Sequence, residues 1–333
     1  MRLLEFYLNF NVFWDYCKFL LNMMNKQKVA CYAVAAFVCV NSFFISPNAA
    51  LAQKPNARET RGHLVIIGGG ARPEAIMKKI IALAGGERSR IVILPMASSE
   101  MMETAQAQRE QFLKFGAPAV DIAIVNPANA DADSNLAKIA AATGVFFSGG
   151  DQNKLVASLA GTQFLNAVKD LYFKKGGVIA GTSAGAAVQS EVMLTGDETL
   201  NADTANPYGI VRKGNIATAE GFGFARSIIV DQHFVKRRRQ NRLLTLVLER
   251  PNLVGVGIDE ATCVVVKPND SFEVLGEATV QIFDARKAKN IRSDARGNLA
   301  ADNILVHILP SGAMYKLPPE PASATSSKGS KRK

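Results

Sequence analysis

One serine in this 333-residue chain stands in a setting where it could act as a nucleophile. Ser183 lies between Gly181 and Gly185 in the run Gly-Thr-Ser-Ala-Gly, just after the apolar residues 178–180. Where a strand turns tightly into a helix at such a serine, the glycines remove side chains that would clash and the hydroxyl stands clear. The pattern predicts a nucleophile elbow, but a glycine-rich turn with an incidental serine has the same pattern.

A nucleophilic serine needs a base, and histidine is the side chain whose proton affinity suits neutral pH. The chain has three histidines. His63 opens an apolar run and His307 lies inside another, which is typical of structural residues, whereas His233 directly follows the end of a run. An acid that orients the base is expected at the end of the next apolar run, where Asp259 and Glu260 stand.

A parallel sheet is predicted to position these residues, because short apolar runs alternate with amphipathic stretches between about residues 61 and 316. Three runs release glycine-rich loops, at 68–70, 148–152 and 181–186. Open α/β sheets build their sites at such strand ends. The backbone N–H groups of Gly150 and Ala184 could then form an oxyanion hole. The triplet at 68–70 lacks the rest of a nucleotide-binding motif, so no nucleotide is expected there.

The N-terminal part predicts export. Residues 23–52 have the basic start, the apolar run and the small-residue end, at Ala50 to Ala52, of a secretory signal peptide. We expect translation to start at Met23 or Met24, so that 1–22 is not part of the natural protein. The destination would be the periplasm or the outside of the cell, with no membrane anchor after cleavage. A retained anchor is the alternative, although the apolar run is short for one.

The rest of the chain is expected to comprise a linker at 53–60, a catalytic domain at 61–316 and a disordered basic tail at 317–333. After signal cleavage only Cys263 of the four cysteines is left, which excludes an internal disulfide and a cysteine metal site. No metal or organic cofactor is expected. The polar segment 196–216 is either a lid or an exposed connection.

Net charge is +10, and a dense basic cluster at 236–239 with Arg242 lies beside His233. On its own such a cluster could be a solvated helix face or a nucleic-acid contact. Few aromatic residues accompany it, with Phe234 the near one, which argues against stacking on bases. We therefore expect no nucleic-acid partner.

Taken together, five motifs in order resemble the cyanophycinases, which belong to the serine peptidase group that also contains the aspartyl dipeptidases (peptidase E). The resemblance covers about residues 61–316, and its motifs stand at 66–70, 148–152, 181–186, 231–234 with the arginines that follow, and 257–260. It implies one three-layer α/β domain with a mostly parallel sheet, similar to class I glutamine amidotransferases (flavodoxin-like). It also leads us to expect a homodimer. The polar segment is long for this group.

The resemblance implies site roles: Ser183 as nucleophile, His233 as base, and Glu260 rather than Asp259 as the orienting acid. It also implies a substrate pocket, lined by Gln152, Asp231, Gln232, Arg237, Arg239 and Arg242. Arginines suit carboxylate groups of a substrate through bidentate pairs, and Asp151 or Asp231 could receive a guanidinium group.

The expected function is that of a secreted serine exopeptidase. It would cut the polyaspartate backbone of cyanophycin, multi-L-arginyl-poly-L-aspartate, into β-Asp-Arg dipeptides through an acyl-enzyme. One alternative is a dipeptidase of the same fold that acts on aspartyl or isoaspartyl dipeptides. A second is an α/β-hydrolase esterase that uses Ser183, Asp259 and His307. A third is a non-catalytic module that binds an anionic polymer.

Overall fold

The computed structural model describes residues 60–319 except 202 and 204. The predicted leader and signal peptide, and nearly all of the predicted linker and basic tail, lie outside the described residues. Every helix within the described part of the chain is too short or too polar to span a bilayer.

The strands in chain order are β1 (His63–Ile67), β2 (Arg90–Leu94), β3 (Ala119–Ile122), β4 (Gly144–Phe147), β5 (Val178–Thr182), β6 (Val192–Glu198), β7 (Ile216–Glu220), β8 (Ile228–Gln232), β9 (Val254–Ile258), β10 (Thr262–Val266), β11 (Ser271–Gly276), β12 (Val280–Asp284), β13 (Lys289–Ser293), β14 (Leu299–Asp302), β15 (Leu305–Leu309) and β16 (Met314–Lys316). The helices are α1 (Glu74–Leu83), α2 (Met101–Lys114), α3 (Asp133–Ala141), α4 (Gln152–Leu159), α5 (Gln163–Phe173), α6 (Ala184–Ala187) and α7 (Gln240–Glu249), with a 3₁₀ turn at Gly86–Arg88.

An eight-stranded sheet forms the centre of the fold, in the order β16-β11-β10-β1-β5-β4-β2-β3. The five strands from β1 to β3 in this order pair in parallel. The other three extend the sheet beyond β1 in antiparallel pairing. This confirms the predicted α/β fold with a large, mostly parallel sheet.

Both faces of this sheet are buried, as the continuous apolar runs of its strands predict. In β1, Val65 and Ile67 face a cluster that contains the apolar side chains of α1 and α2. Leu64 and Ile66 face the opposite cluster, which contains those of α5. Because side chains alternate along a strand, one short run anchors two helical layers. Cys263 on β10 is fully buried, so its free thiol packs in the core.

A second sheet, which the sequence analysis did not foresee, has four strands in the order β15-β12-β9-β8. Ile228 and Val230 of β8 pack into the core shared with the larger sheet, whereas Ile229 packs towards α7. The pair β8 and β9 is parallel, so the loops after both strands leave at the same edge. The carboxyl ends of these strands meet those of the larger sheet at the candidate site.

The polar segment between β6 and β7 is largely exposed but fastened to its surroundings. Glu198 accepts hydrogen bonds from the backbone N–H of Tyr208 at 2.7 Å and from Asn215 Nδ2 at 2.8 Å. Leu299 N donates to Val211 O at 3.0 Å, which joins the segment to the β13–β14 hairpin. These hydrogen bonds join the described part of the segment, 196–216 except 202 and 204, to β7 and to the β13–β14 hairpin.

Candidate active site

Ser183 sits in the sharp turn between β5 and α6, with the unusual backbone angles φ 54° and ψ −110°. Such conformations cost about 1–3 kcal/mol and persist where the surroundings hold them. Here a Cβ on Gly185 would lie 2.1 Å from Phe147 O, and one on Gly181 would lie 2.2 Å from Gly185 O. Only glycine fits at either position, so the glycines allow the turn that exposes the serine. This geometry is that of a nucleophile elbow.

His233 and Glu260 complete a hydrogen-bonded chain with the serine. Ser183 Oγ lies 2.8 Å from His233 Nε2, and His233 Nδ1 lies 2.7 Å from Glu260 Oε1. An ionised carboxylate can only accept a hydrogen bond, so Nδ1 carries the proton and Nε2 accepts from the serine hydroxyl. This is the tautomer that a general base requires.

The glycine triplet at 68–70 holds this base and acid in place. His233 N donates to Gly68 O at 2.7 Å, and Ala261 N donates to Gly69 O at 3.0 Å. A Cβ on Gly69 would come within 2.3 Å of the His233 ring. A side chain there would displace the imidazole, so the triplet is explained by close packing against the base.

The charges of the pair suit proton transfer. Burial lowers the pKa of His233, and although the hydrogen bond to Glu260 opposes that effect, the histidine is neutral at pH 7. The hydrogen bond from His233 lowers the pKa of Glu260, which keeps this carboxylate ionised. A neutral imidazole backed by a carboxylate can accept the proton of the serine hydroxyl.

Of the two predicted oxyanion donors, Ala184 adjoins the nucleophile and Gly150 belongs to a loop that approaches it. Ala184 follows Ser183 at the start of α6, where the first N–H groups have no acceptor within the helix. The loop of Gly150 is close by, since a Cβ on Gly149 would lie 3.4 Å from Ser183 Cβ. Gly150 itself has φ 134°, which turns the loop against Ala97.

Two of the predicted pocket residues start helix α4. Asp151 is exposed and caps the helix by accepting a hydrogen bond from Asn153 N at 2.8 Å. Gln152 is buried, and its side-chain amide donates to Leu194 O at 2.9 Å and also to Thr195 O. Gln152 therefore connects the glycine loop to β6.

Asp231 and Arg242 bind each other instead of facing a ligand. Arg242 Nε donates to Asp231 Oδ2 at 2.7 Å, a second contact joins Arg242 Nη2 to Oδ1, and the two side chains are 1% and 0% exposed. The guanidinium that Asp231 receives thus comes from its own chain. Since Gln232 N also donates to Asp231 Oδ1 at 2.8 Å, the pair supports the loop that carries His233.

The other arginines differ in exposure. Arg239 is 8% exposed and donates to Gln232 O at 2.7 Å and to Gln232 Oε1, while its buried Nε has no hydrogen-bond partner among the described residues. Burial lowers the pKa of Arg239 to about 10. Arg237 is exposed, so it alone of the three predicted arginines presents its guanidinium to solvent.

Tyr208 is a residue of this network that the sequence analysis missed. Its hydroxyl accepts a hydrogen bond from Arg242 Nη1 at 2.9 Å, and the guanidinium carbon lies 4.8 Å from the ring centroid. The polar segment thereby covers the buried ion pair. A signal existed in the sequence, because Tyr208 is the one aromatic residue between 196 and 216.

The esterase alternative does not assemble. His307 lies on β15, where its ring contacts that of Tyr315 at 5.4 Å between centroids. Asp259 accepts a hydrogen bond from Lys236 N at 3.1 Å. The serine has His233 as its partner, so the order along the chain is nucleophile, base, acid and differs from that of an α/β-hydrolase.

An elbow serine, a neutral histidine and an ionised carboxylate in an α/β fold define a serine hydrolase. Sequence comparison specifies the family: the profile of Peptidase family S51 matches residues 64–274, and the chain belongs to this family.

Several of the relatives found by sequence comparison are cyanophycinases. A cyanophycinase of Synechococcus elongatus is 32% identical over 287 residues, covering 82% of this chain and 87% of the relative. A cyanophycinase of Trichormus variabilis is 32% identical over 273 residues, covering 79% and 87%. A crystal structure of a peptidase from an acI-B1 Actinobacterium shares the fold, with a TM-score of 0.58, 21% identity, and coverage of 78% of this chain and 98% of that one.

Proposed function

We propose that this protein hydrolyses the polyaspartate backbone of cyanophycin and releases β-Asp-Arg dipeptides through an acyl-enzyme on Ser183. The hydrogen-bonded chain from Ser183 through His233 to Glu260 carries the proposal for the chemistry. The cyanophycinases that match most of the chain support the choice of substrate. Residues 23–52 support export, so the reaction would take place in the periplasm or outside the cell.

In the first step, Ser183 Oγ attacks a backbone carbonyl carbon while His233 Nε2 takes the hydroxyl proton. Glu260 stabilises the imidazolium that forms. The N–H groups of Gly150 and Ala184 would donate to the oxyanion of the tetrahedral intermediate. His233 then gives its proton to the leaving amine, and a water molecule, activated by the same histidine, hydrolyses the ester.

The side chains around Ser183, His233 and Glu260 would recognise the substrate. Each unit of the polymer offers a carboxylate and a guanidinium. Arg237 is suited to the carboxylate because it is exposed beside the base. The exposed carboxylate of Asp151 is suited to the guanidinium, since it lies at the start of α4 next to the glycine loop. Arg239 would contribute only at the small part of its side chain that is exposed.

The experiment that tests this function is incubation of the protein with insoluble cyanophycin, followed by identification of the soluble products by mass. We expect β-Asp-Arg dipeptides from the wild type and no product from Ser183→Ala. Release of free arginine would contradict cleavage of the backbone. Cleavage of short aspartyl or isoaspartyl dipeptides without any attack on the polymer would instead favour the dipeptidase alternative.

A second prediction concerns pH. Because burial lowers the pKa of His233, the acid limb of kcat/KM on a short soluble substrate should have its midpoint below the ordinary histidine pKa of about 6.5. The base accepts a proton only when neutral, so activity rises with pH through this midpoint. Replacing Glu260 with glutamine removes a contact that raises the pKa, so the midpoint should move lower while the rate falls by roughly a hundredfold or more.

Profiles of kcat/KM against pH for the wild type, Glu260→Gln and Asp259→Asn check this prediction. Asp259 is a matched control, because it neighbours Glu260 but contacts Lys236 N and not the imidazole. We expect Asp259→Asn to keep the wild-type midpoint. A wild-type midpoint above about 6.5 would show that burial does not set the state of the base.

A further inference from the structure

Away from the catalytic chain, a surface cavity of about 460 Å³ lies between the end of α7, Lys213 and strand β13. Its polar lining includes Lys213, Glu249, Arg250 and Arg292. Apolar side chains, among them Ile291, complete the wall. None of these residues takes part in the chemistry described above.

Backbone hydrogen bonds fix the walls of this cavity. Lys213 N donates to Gly297 O at 2.9 Å, which holds the polar segment against the β13–β14 hairpin. Gly214 N donates to Glu249 Oε1 at 2.7 Å, which holds the same segment against the end of α7. The cavity is therefore a built feature where three parts of the chain are joined.

The cavity has more positive charge than it can neutralise. Its one carboxylate, Glu249, is engaged by Gly214 N and lies 3.5 Å from Arg250 Nη1. No carboxylate among the described residues lies within 4.0 Å of the Lys213 ammonium or the Arg292 guanidinium. Both side chains are exposed. Two cations without an acidic partner beside an apolar wall favour an anionic organic ligand.

We propose that this cavity is an accessory binding site for carboxylate groups, and, resting on the proposed function, that it holds a distant part of the polymer substrate. Helix α7 links the two sites: it starts after Arg239, which contacts Gln232 beside the base, and ends at Glu249. At 1.5 Å per residue, its ten residues set the cavity about 15 Å along the helix axis from the first turn, which follows Arg239. One polymer chain can span that distance.

Such a site acts by keeping the polymer near the enzyme after each cut. A second contact on the same chain raises the local concentration of ends at the serine without changing the chemistry. Its effect should appear only with long substrates and should weaken as salt rises, because exposed charges are screened. A substrate of two units is too short to reach both sites.

The test uses the neutralised variant Lys213→Gln/Arg292→Gln and a control with the same change in charge, Lys287→Gln/Arg296→Gln. Glutamine removes the cations without adding carboxylates that would attract the guanidinium groups of the polymer. The control residues are exposed on or near the same hairpin but do not line the cavity. In a Ser183→Ala background, pelleting with insoluble cyanophycin measures binding without hydrolysis. We expect at least about fivefold weaker binding at low salt for the cavity variant and near wild-type binding for the control.

With Ser183 intact, the cavity variant should lose rate on insoluble polymer and keep kcat/KM on a two-unit substrate within about twofold. Equal loss by both variants would overturn the proposal, because it would reflect net charge alone. Equal competition for binding by polyaspartate and by a DNA oligonucleotide would overturn the assignment to carboxylates. Since pelleting needs no turnover, a failure of the proposed hydrolysis would leave this binding result readable by itself.

Discussion

Replacing Ser183 with alanine is expected to lower kcat by at least about a thousandfold while the protein stays folded. Ser183 supplies the attacking oxygen, and it is the one nucleophile among the three hydrogen-bonded side chains Ser183, His233 and Glu260. Because these three side chains act as a unit, His233→Ala should cost nearly as much, and the double variant should be scarcely worse than either. Initial rates on cyanophycin, with circular dichroism to confirm folding, measure these effects.

His307→Ala is the matched control for this series, since His307 lies on β15 and contacts Tyr315. We expect it to retain nearly full activity. Full activity of Ser183→Ala would refute the assignment of the nucleophile. Loss of activity in His307→Ala together with full activity in His233→Ala would refute the assignment of the base.

The second large effect is expected from Arg242→Met, which should reduce the free energy of unfolding by about 3–5 kcal/mol. The Asp231 side chain is 0% exposed, and without Arg242 its buried carboxylate would keep only the Arg239 guanidinium, at 4.0 Å, as a cationic neighbour. Whole domains are stable by only about 5–15 kcal/mol, so the loss is a large share of the total. Midpoints of urea unfolding, compared at equal slope, measure it.

Two further variants decide what the ion pair does. Arg237→Met removes an exposed arginine of the same cluster and should change stability by no more than about 0.5 kcal/mol. Asp231→Leu/Arg242→Met removes both charges and should recover much of the loss, because an apolar pair avoids burying a lone charge. If Arg242→Met raises KM but leaves stability unchanged, Arg242 contacts substrate, as the family resemblance implies, and the structural role is wrong.

The catalytic chain could be predicted from the sequence because its members follow apolar runs. Ser183 and His233 come directly after a strand, Glu260 comes two residues after one, and the ends of parallel strands converge. The large sheet could be predicted for the same reason. The second sheet could not be predicted, because a buried run such as 228–232 has the same sequence pattern in either sheet.

The partners of the charged side chains could not be predicted either. Asp231, Arg239 and Arg242 look equally available in the sequence, but the packing around α7, β8 and β9 buries all three and pairs Asp231 with Arg242. Tyr208 reaches Arg242 because Glu198 fixes the backbone of the polar segment. Such contacts depend on which helices, strands and loops pack together, and local sequence patterns do not show this.

The division of the site between two sheets also has a consequence for how the enzyme matures. Ser183 follows a strand of the larger sheet, while His233 comes 50 residues later and Glu260 a further 27, both on the smaller one. A growing chain therefore carries its nucleophile long before its base and acid. Until the smaller sheet is in place beside β5, the serine has no base and is an ordinary alcohol, so peptidase activity requires both sheets.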